Sequence, residues 1–447
     1  MSRPTPLSGF PELLPSQRFV EREVIASLSH SFELHGFANI ETRVVEPMDR
    51  LAKGGDIDKE IYVLRRLHAG DDEAPESAQL GMHYDLTVPF ARYVLENAGH
   101  LEFPFRRYQI QPAWRGERPQ IGRYRQFTQA DLDIVGRDTL GFHHDVEVVR
   151  VMIEALDALP LPGLSFQVNN RKVVQGFYRG LGLDDITTAL KVIDKLDKLP
   201  ADEVASRLVS EAGATPNQAS RCLELASIRV SDTSFVERVQ ALGVEGEEME
   251  QGLTELAALV DGCAGSVSDH VRLEVNLRIA RGLDYYTGTV LEIFMDGYDN
   301  LKSVGGGGRY DSLARDGRTV YPGVGVSFGV SRTVVPLLAD GVLDGSRPVP
   351  SAVLVALVNE ASRSQSDALA NRLRARGIPC EVAPAPQKFG KQIRYAERRG
   401  IPYVLFPGED GPHLKNITSG DQVPIDPDKW LPPAEDLSPR VISTTAD

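Results

Sequence analysis

Four stretches of the chain hold residues whose type and spacing could do chemistry. In FTQADLDIV (127–135), the two-residue period of a strand puts Phe127, Gln129, Asp131 and Asp133 on one face. Thr128, Ala130, Leu132 and Ile134 fall on the other. The apolar face supplies a core, and the polar face is either a solvated surface or a binding row headed by an aromatic ring. This strand follows RRYQIQPAWRGERPQIGRYR (106–125), where Arg106, Arg107, Arg115, Arg118, Arg123 and Arg125 stand against a single acid, Glu117. Carboxylates beside guanidinium groups suit a ligand with positive and negative parts, such as an amino acid plus a nucleotide. In RGLDYYTG (281–288), Arg281 and Asp284 flank Tyr285 and Tyr286. In an extended chain the two tyrosines point to opposite faces, so at most one is simple core packing; a hairpin turn explains the motif equally well. The run Gly305 to Gly308 is neither a P-loop nor a dinucleotide fingerprint. It implies a close approach of backbone, either to another strand or to a bound substrate. Finally, Gly325, Gly329 and Arg332 of GVGVSFGVSR share a face if the segment is helical, and an arginine at the end of such a face can reach a polyphosphate.

Around these stretches the 447 residues, 42% hydrophobic and 25% charged, read as an ordinary water-soluble chain. At about 150 residues per domain the length implies two to three domains. No run approaches the ~18 apolar residues of a membrane span, and the first residues lack the apolar core of a signal peptide. Three widely spaced cysteines form neither a disulfide framework nor a metal knuckle, which suits a reducing cytoplasm. The net charge of -14 argues weakly against a nucleic-acid partner, but phosphate binding depends on local charge. Besides the first basic island, 371–400 holds a second, with Arg372, Arg374, Arg376, Lys388, Lys391, Arg394, Arg398 and Arg399.

The elements that must position these residues follow from periodicity. Residues 16–36 form an amphipathic helix that stops at Gly36, followed by a strand-like run, FANIETRVVEP, ending at Pro47. Residues 104–135 form two strands around a basic turn, and LEVNLRIA and TVLEIFM form two more around RGLDYYTG. Between them, about 175–262, an Ala-, Leu- and acid-rich texture predicts a helical insertion. DGSRPVP (344–350) reads as a linker, and beyond it short apolar strands alternate with helices, the pattern of a small α/β domain.

Each signal alone is weak; their order is not. FANIETRVVEP, MHYDLTVPFARYV, FRRYQIQPAWRGERPQIGRYRQFTQADLDIVG, RGLDYYTGTVLEIF, GGGGRYDSL and GVGVSFGVSR, with a tail from AERRGIPYVLFPGED through ITSGDQVPID, together resemble histidyl-tRNA synthetases, class II aminoacyl-tRNA synthetases, over nearly the whole chain. The resemblance implies an α+β protein: an antiparallel-sheet catalytic domain over 1–343 with the helical insertion, an α/β anticodon-binding domain over 349–447, and a homodimer. It implies ATP with Mg²⁺, L-histidine and tRNA(His) as substrates, and no membrane partner. It also implies roles by position. Asp85, Leu86, Thr87, Arg115, Gln129, Asp133, Arg281, Tyr285, Tyr286 and Tyr310 would bind histidine. Arg115, Glu117, Arg123, Phe127 and Arg332 would bind ATP, and Arg115 and Arg281 would be catalytic. Gly116 departs from the family, which commonly has a second basic residue there. A competing reading is a catalytically inactive regulatory subunit of ATP phosphoribosyltransferase, expected to lack the RGLDYY arginine and the C-terminal domain. Two further readings are a class II synthetase for another amino acid and an RNA-binding protein without catalysis.

Overall fold

The computed structural model describes residues 4–52, 56–66, 79–279, 286–408 and 410–444. The chain divides into two compact units, Met1–Pro11 with Val24–Pro336, and Glu12–Glu23 with Leu337–Asp447. Among the described residues no helix is long and apolar enough to cross a membrane.

The helix expected over 16–36 is α1 (Pro15–Leu34), which buries Val20, Val24, Leu28 and Phe32. The run FANIETRVVEP is not one strand. It supplies β1 (Ala38–Asn39) to one sheet and β2 (Val45–Pro47) to another, and Pro47 ends the second. After α2 (Met48–Leu51), β2 pairs with β4 (Leu80–Met82), which also pairs with β3 (Val63–Leu64). Helix α3 (Thr87–Asn97) follows, then the long hairpin β5 (Phe105–Trp114) and β6 (Gln126–Val135). Next come α4 (His143–Asp157) and β7 (Leu164–Asn170).

The expected insertion is α5 (Arg171–Gly180), α6 (Ile186–Ile193), α7 (Ala201–Ala212), α8 (Pro216–Ala226), β8 (Arg229–Val230), α9 (Phe235–Gln240) and α10 (Glu247–Cys263). Local chemistry sets its helix starts. The Asp185 carboxylate accepts from Thr188 N–H at α6, and Thr215 and Gln218 form a reciprocal capping box at α8. The chain then returns through β9 (Val271–Asn276), β10 (Tyr286–Met295), β11 (Gly305–Asp316) and β12 (Thr319–Gly329) into α11 (Val330–Ala339).

The nine-stranded sheet has the order β1-β5-β6-β12-β11-β10-β7-β9-β8. It is antiparallel except at β1–β5 and β7–β9. Gly325 and Gly329 lie on strand β12, not on a helix as the four-residue spacing predicted; the helix begins one residue later, at Val330. The valines and aromatics of TVYPGVGVSFG fit a pleated surface better than a helix.

The second unit holds β13 (Leu343–Gly345), β14 (Val353–Val355), α12 (Arg363–Arg374), β15 (Cys380–Val382), α13 (Phe389–Arg398), β16 (Tyr403–Phe406), β17 (His413–Asn416), β18 (Gln422–Pro424), α14 (Ala434–Leu437) and β19 (Val441–Ser443). Its five-stranded sheet, β15-β14-β16-β17-β18, is parallel across the first three strands and antiparallel beyond. Leu373 and Ala370 cover one face and Ile393 and Ala396 the other, giving the apolar strands two buried sides.

Candidate active site

Strand register places the polar residues of the first unit in rows across the sheet. Gln111, Gln129 and Gly329 are neighbours in one row, and Gln109, Asp131, Ser327, Gly306 and Glu292 in the next. Arg107, Asp133, Gly325 and Gly308 form a third. The rows are tied laterally. Gln129 Nε2 donates to Ser327 Oγ (2.8 Å) and Gln109 Nε2 to Gln111 Oε1 (2.6 Å). The Arg107 guanidinium pairs with Asp133 Oδ2 at 2.7 Å and lies 4.1 Å from the Phe90 ring centroid. Tyr310, opposite Tyr286 in the sheet, donates its hydroxyl to Asp133 Oδ1 at 2.7 Å. Glycine is required beside this carboxylate: a Cβ on Gly325 would sit 2.0 Å from Asp133 Oδ1. A Cβ on Gly306 would meet only the Leu291 carbonyl, at 3.1 Å, so the floor is bare there.

Above this floor lies a cavity of about 550 Å³. Arg115, Glu117, Arg123, Phe127 and Arg332 line it together with Asp85, Thr87, Gln129 and Tyr286. A second small void of about 20 Å³ shares Thr87, Tyr286, Gly306 and Ser327 with the first and is closed by Asp131, Asp133 and Tyr310. Arg115 is held on two sides: its Nε donates to the Tyr84 carbonyl (3.0 Å) and its guanidinium lies 5.0 Å from the Phe127 centroid. Asp85 Oδ1 accepts from Val88 N–H (3.1 Å) in the first turn of α3. Arg332 donates to the carbonyls of Gly122 and Leu301. Burial lowers its pKa to about 10, helped by Arg123 and Arg115, so it stays cationic at neutral pH. The cavity therefore has a guanidinium-rich part and a part lined by acids, an amide and phenols.

The family model for histidyl-tRNA synthetase matches residues 9–333, and an anticodon-binding-domain model matches 352–431. The chain belongs to the histidyl-tRNA synthetase family. The histidine–tRNA ligase of Cutibacterium acnes is 54% identical over 99% of this chain and 100% of its own length. The crystal structure of histidyl-tRNA synthetase from a Nostoc species superposes with a TM-score of 0.83 at 32% identity, covering 95% of this chain and 96% of that one. A Bacillus halodurans structure described as an ATP phosphoribosyltransferase regulatory subunit/histidyl-tRNA synthetase shares the fold, with a TM-score of 0.70 at 18% identity over 87% of this chain and 96% of that one. Full-length identity to a ligase, including the anticodon-binding segment, favours the synthetase reading over the regulatory one.

Within this family frame, the structure gathers most of the expected site residues around the two voids. Asp85, Thr87, Arg115, Glu117, Arg123, Phe127, Gln129, Tyr286 and Arg332 line the larger; Asp133 and Tyr310 line the smaller. Leu86 is fully buried and lines neither. Arg281 and Tyr285 lie outside the described residues. Of the first basic island, Arg106 pairs with Glu147 and Arg107 with Asp133, while Arg118 and Arg123 are exposed. At Gly116 a Cβ would come 3.3 Å from the Glu60 carbonyl that its own N–H bonds, so a larger residue meets backbone there.

The sequence reading placed Asp131 in the polar row and Arg107 in the first basic island without giving either a role, and it did not name Ser327 or Glu292. The alternation Arg107, Gln109, Gln111 was the available signal for Arg107, since all three are buried on one face of β5. Asp131 has a distinctive chemistry. Burial raises its carboxyl to about 7; Arg107 and the Ser327 hydroxyl oppose the rise, and Asp133 and Asp85 add to it. Because the folded state binds this proton more tightly than the unfolded chain, its stabilising effect is complete below about pH 4 and is lost as pH rises through about 7. Asp131→Asn should match the parent at pH 4 and exceed it at pH 8 by on the order of 3 kcal/mol. Urea unfolding at both pH values checks this; a variant less stable than the parent at pH 8 contradicts it.

Proposed function

We propose that the chain is a histidine–tRNA ligase, which activates L-histidine with ATP and transfers it to the 3′ end of tRNA(His). The observation that carries this is a cavity lined by arginines, an acid and an amide, adjoined by a smaller void lined by buried acids and a phenol, in a chain of this family. In this reading the histidine carboxylate attacks the α-phosphorus of ATP and pyrophosphate leaves. Negative charge crowds the transferring group, so positioned guanidiniums do most of the work and no side-chain nucleophile is needed. Arg115 would contact the α-phosphate, Glu117 and Arg123 place the nucleotide, Phe127 stack on adenine and Arg332 hold the outer phosphates. Arg281 would touch the α-phosphate and the substrate carboxylate.

Asp85, Thr87, Gln129, Asp133, Tyr285, Tyr286 and Tyr310 would surround the histidine. A polar lining of this kind rejects apolar amino acids, which leave it unpaired. Magnesium would enter with the nucleotide. Glu117 and Glu292 line the cavity, and one or two carboxylates suffice when phosphates and water complete the shell. We further propose a homodimer working in the cytoplasm.

The decisive experiment is ATP–pyrophosphate exchange with each of the twenty amino acids in turn. Exchange with histidine alone is expected; exchange with another amino acid instead, or with none, overturns the reading.

The second basic island divides by role. Arg372 pairs with Asp428 (2.6 Å), Arg399 with Glu381 (3.3 Å), and Arg376 bonds the carbonyls of Pro427, Lys429 and Trp430. These hold the unit together. Lys391, Arg394 and Arg398 of α13 are exposed, and we assign the tRNA phosphates to them. Replacing those three by alanine should weaken tRNA binding by about 10-fold at moderate salt and flatten its salt dependence. Adenylate formation should be unchanged. Filter binding across a salt series checks this, and an unaltered slope counts against the assignment.

A further inference from the structure

Lys302 breaks a backbone rule on the wall of the large cavity. It stands in the turn between Leu301 and β11 with φ 59° and ψ −149°. Glycine takes up that conformation freely, whereas a residue with a Cβ is strained in it. Asp138, the other such residue with positive φ among those described, is of a type that tolerates it, and its carboxylate accepts from Val320 N–H (3.4 Å). Lys302 has no contact of that kind. Its side chain is exposed and, among the described residues, makes no hydrogen bond or ion pair. A solvated ammonium adds nothing to the fold that would offset the strain, so a bound anion is the natural partner.

The other cations of the cavity are already engaged within the protein. Arg115 Nε donates to the Tyr84 carbonyl, Arg123 pairs with Glu117 at 3.4 Å, and Arg332 donates to the carbonyls of Gly122 and Leu301. The last contact fixes where Lys302 stands, because it follows directly on the residue that Arg332 grips. The turn at Gly122 lies against that same residue: a Cβ there would come 2.5 Å from Leu301 Cδ2. Lys302 therefore belongs to the guanidinium-rich part of the cavity, beside Arg332, and does not border the inner void of Asp133 and Tyr310.

We propose that Lys302 is a further nucleotide-binding residue, whose ammonium pairs with the outer phosphates of ATP and with the pyrophosphate that leaves. This rests on the reading of the cavity as the site of histidine activation. As a histidine carboxylate oxygen bonds the α-phosphorus, the bond from that phosphorus to the α–β bridging oxygen breaks, and the oxygen departs with the electron pair on pyrophosphate. The ammonium stays protonated throughout and acts through its charge alone.

The test uses the full chain with two variants. Lys302→Gly removes the charge and the strain together; Lys302→Gln removes the charge and keeps the Cβ. In ATP–pyrophosphate exchange, KM for ATP and for pyrophosphate should rise about 5- to 10-fold in both, a charged contact discounted for its exposure. KM for histidine and kcat should change by less than about 3-fold, because the contact is present before and during the reaction alike. Inhibition by AMP, which lacks the outer phosphates, should change by less than about 2-fold. Tm should rise by about 1–3 °C in Lys302→Gly and stay with the parent in Lys302→Gln. Unchanged KM for ATP and pyrophosphate in both variants overturns the assignment. So does an equal loss for AMP, or a loss in the glycine variant alone, either of which marks a disturbed turn. A rise confined to KM for tRNA in charging would give the ammonium to the acceptor-end phosphates and overturns it as well. Absence of histidine-dependent exchange in the parent protein would instead refute the activation reading, which keeps the two failures distinguishable.

Discussion

Arg115→Ala is expected to lower histidine-dependent ATP–pyrophosphate exchange by about 10³-fold. The reason is the way the side chain is held. The Tyr84 carbonyl takes its Nε, the Phe127 ring lies against the guanidinium plane, and Asp85 supplies a nearby negative charge. These contacts fix the fork and direct its remaining N–H groups into the cavity, so little reorganisation is left when charge builds at phosphorus. Arg115→Lys should recover little of the loss, because an ammonium cannot offer the same planar pair of donors or stack on Phe127 in the same way. The fold should tolerate both changes. Arg115 is only half-buried, and Asp85 keeps its hydrogen bond from Val88, so stability should stay within about 1 kcal/mol of the parent. Exchange kinetics with a parallel thermal melt distinguish the outcomes. Near-parent exchange in a folded Arg115→Ala protein would remove this residue from the chemistry.

The alternation of FTQADLDIV made one wall of the site legible, because a strand with two different faces announces which side chains travel together. It did not tell whether the polar face was wet. The structure answers through burial: Asp131 and Asp133 are both enclosed, covered by residues that arrive from Tyr310, Ser327 and Thr87, distant in sequence. Arg107 was hidden for a related reason. Within RRYQIQPAWRGERPQIGRYR it reads as one more charge in a basic run, and only the pairing of β5 with β6 brings it opposite Asp133. The glycines at 325 and 329 invited a helical reading because four-residue spacing is shared by a helix face and by every second pair of strand positions. The partner strand decided the matter, since Gly325 must lie flat beside the Asp133 carboxylate. Family resemblance supplied Asp85, Thr87 and Tyr310, none of which stands out by local pattern. Only tertiary packing could show that Leu86, between two cavity-lining neighbours, turns into the core.

Arg107→Leu should destabilise the protein by about 3–5 kcal/mol, the cost of leaving a buried carboxylate without its cation. Arg107 is fully enclosed, and Asp133 is almost so. Burial already pushes the Asp133 carboxyl upward, and Arg107 and the Tyr310 hydroxyl are what counter it. Removing the cation leaves the phenol alone to support a charge out of water, so the carboxyl should take up a proton and the fold weaken. Leucine preserves apolar contact with Phe90, which separates the electrostatic loss from a packing defect. Combining Arg107→Leu with Asp133→Asn should bring stability back to within about 1–2 kcal/mol of the parent, because the amide keeps an acceptor for Tyr310 without a charge to strand. Urea unfolding of the two single variants and the double variant closes the cycle. Additive losses would mean that the two residues support the fold separately, and the pair could not then be the scaffold on which Tyr310 is set.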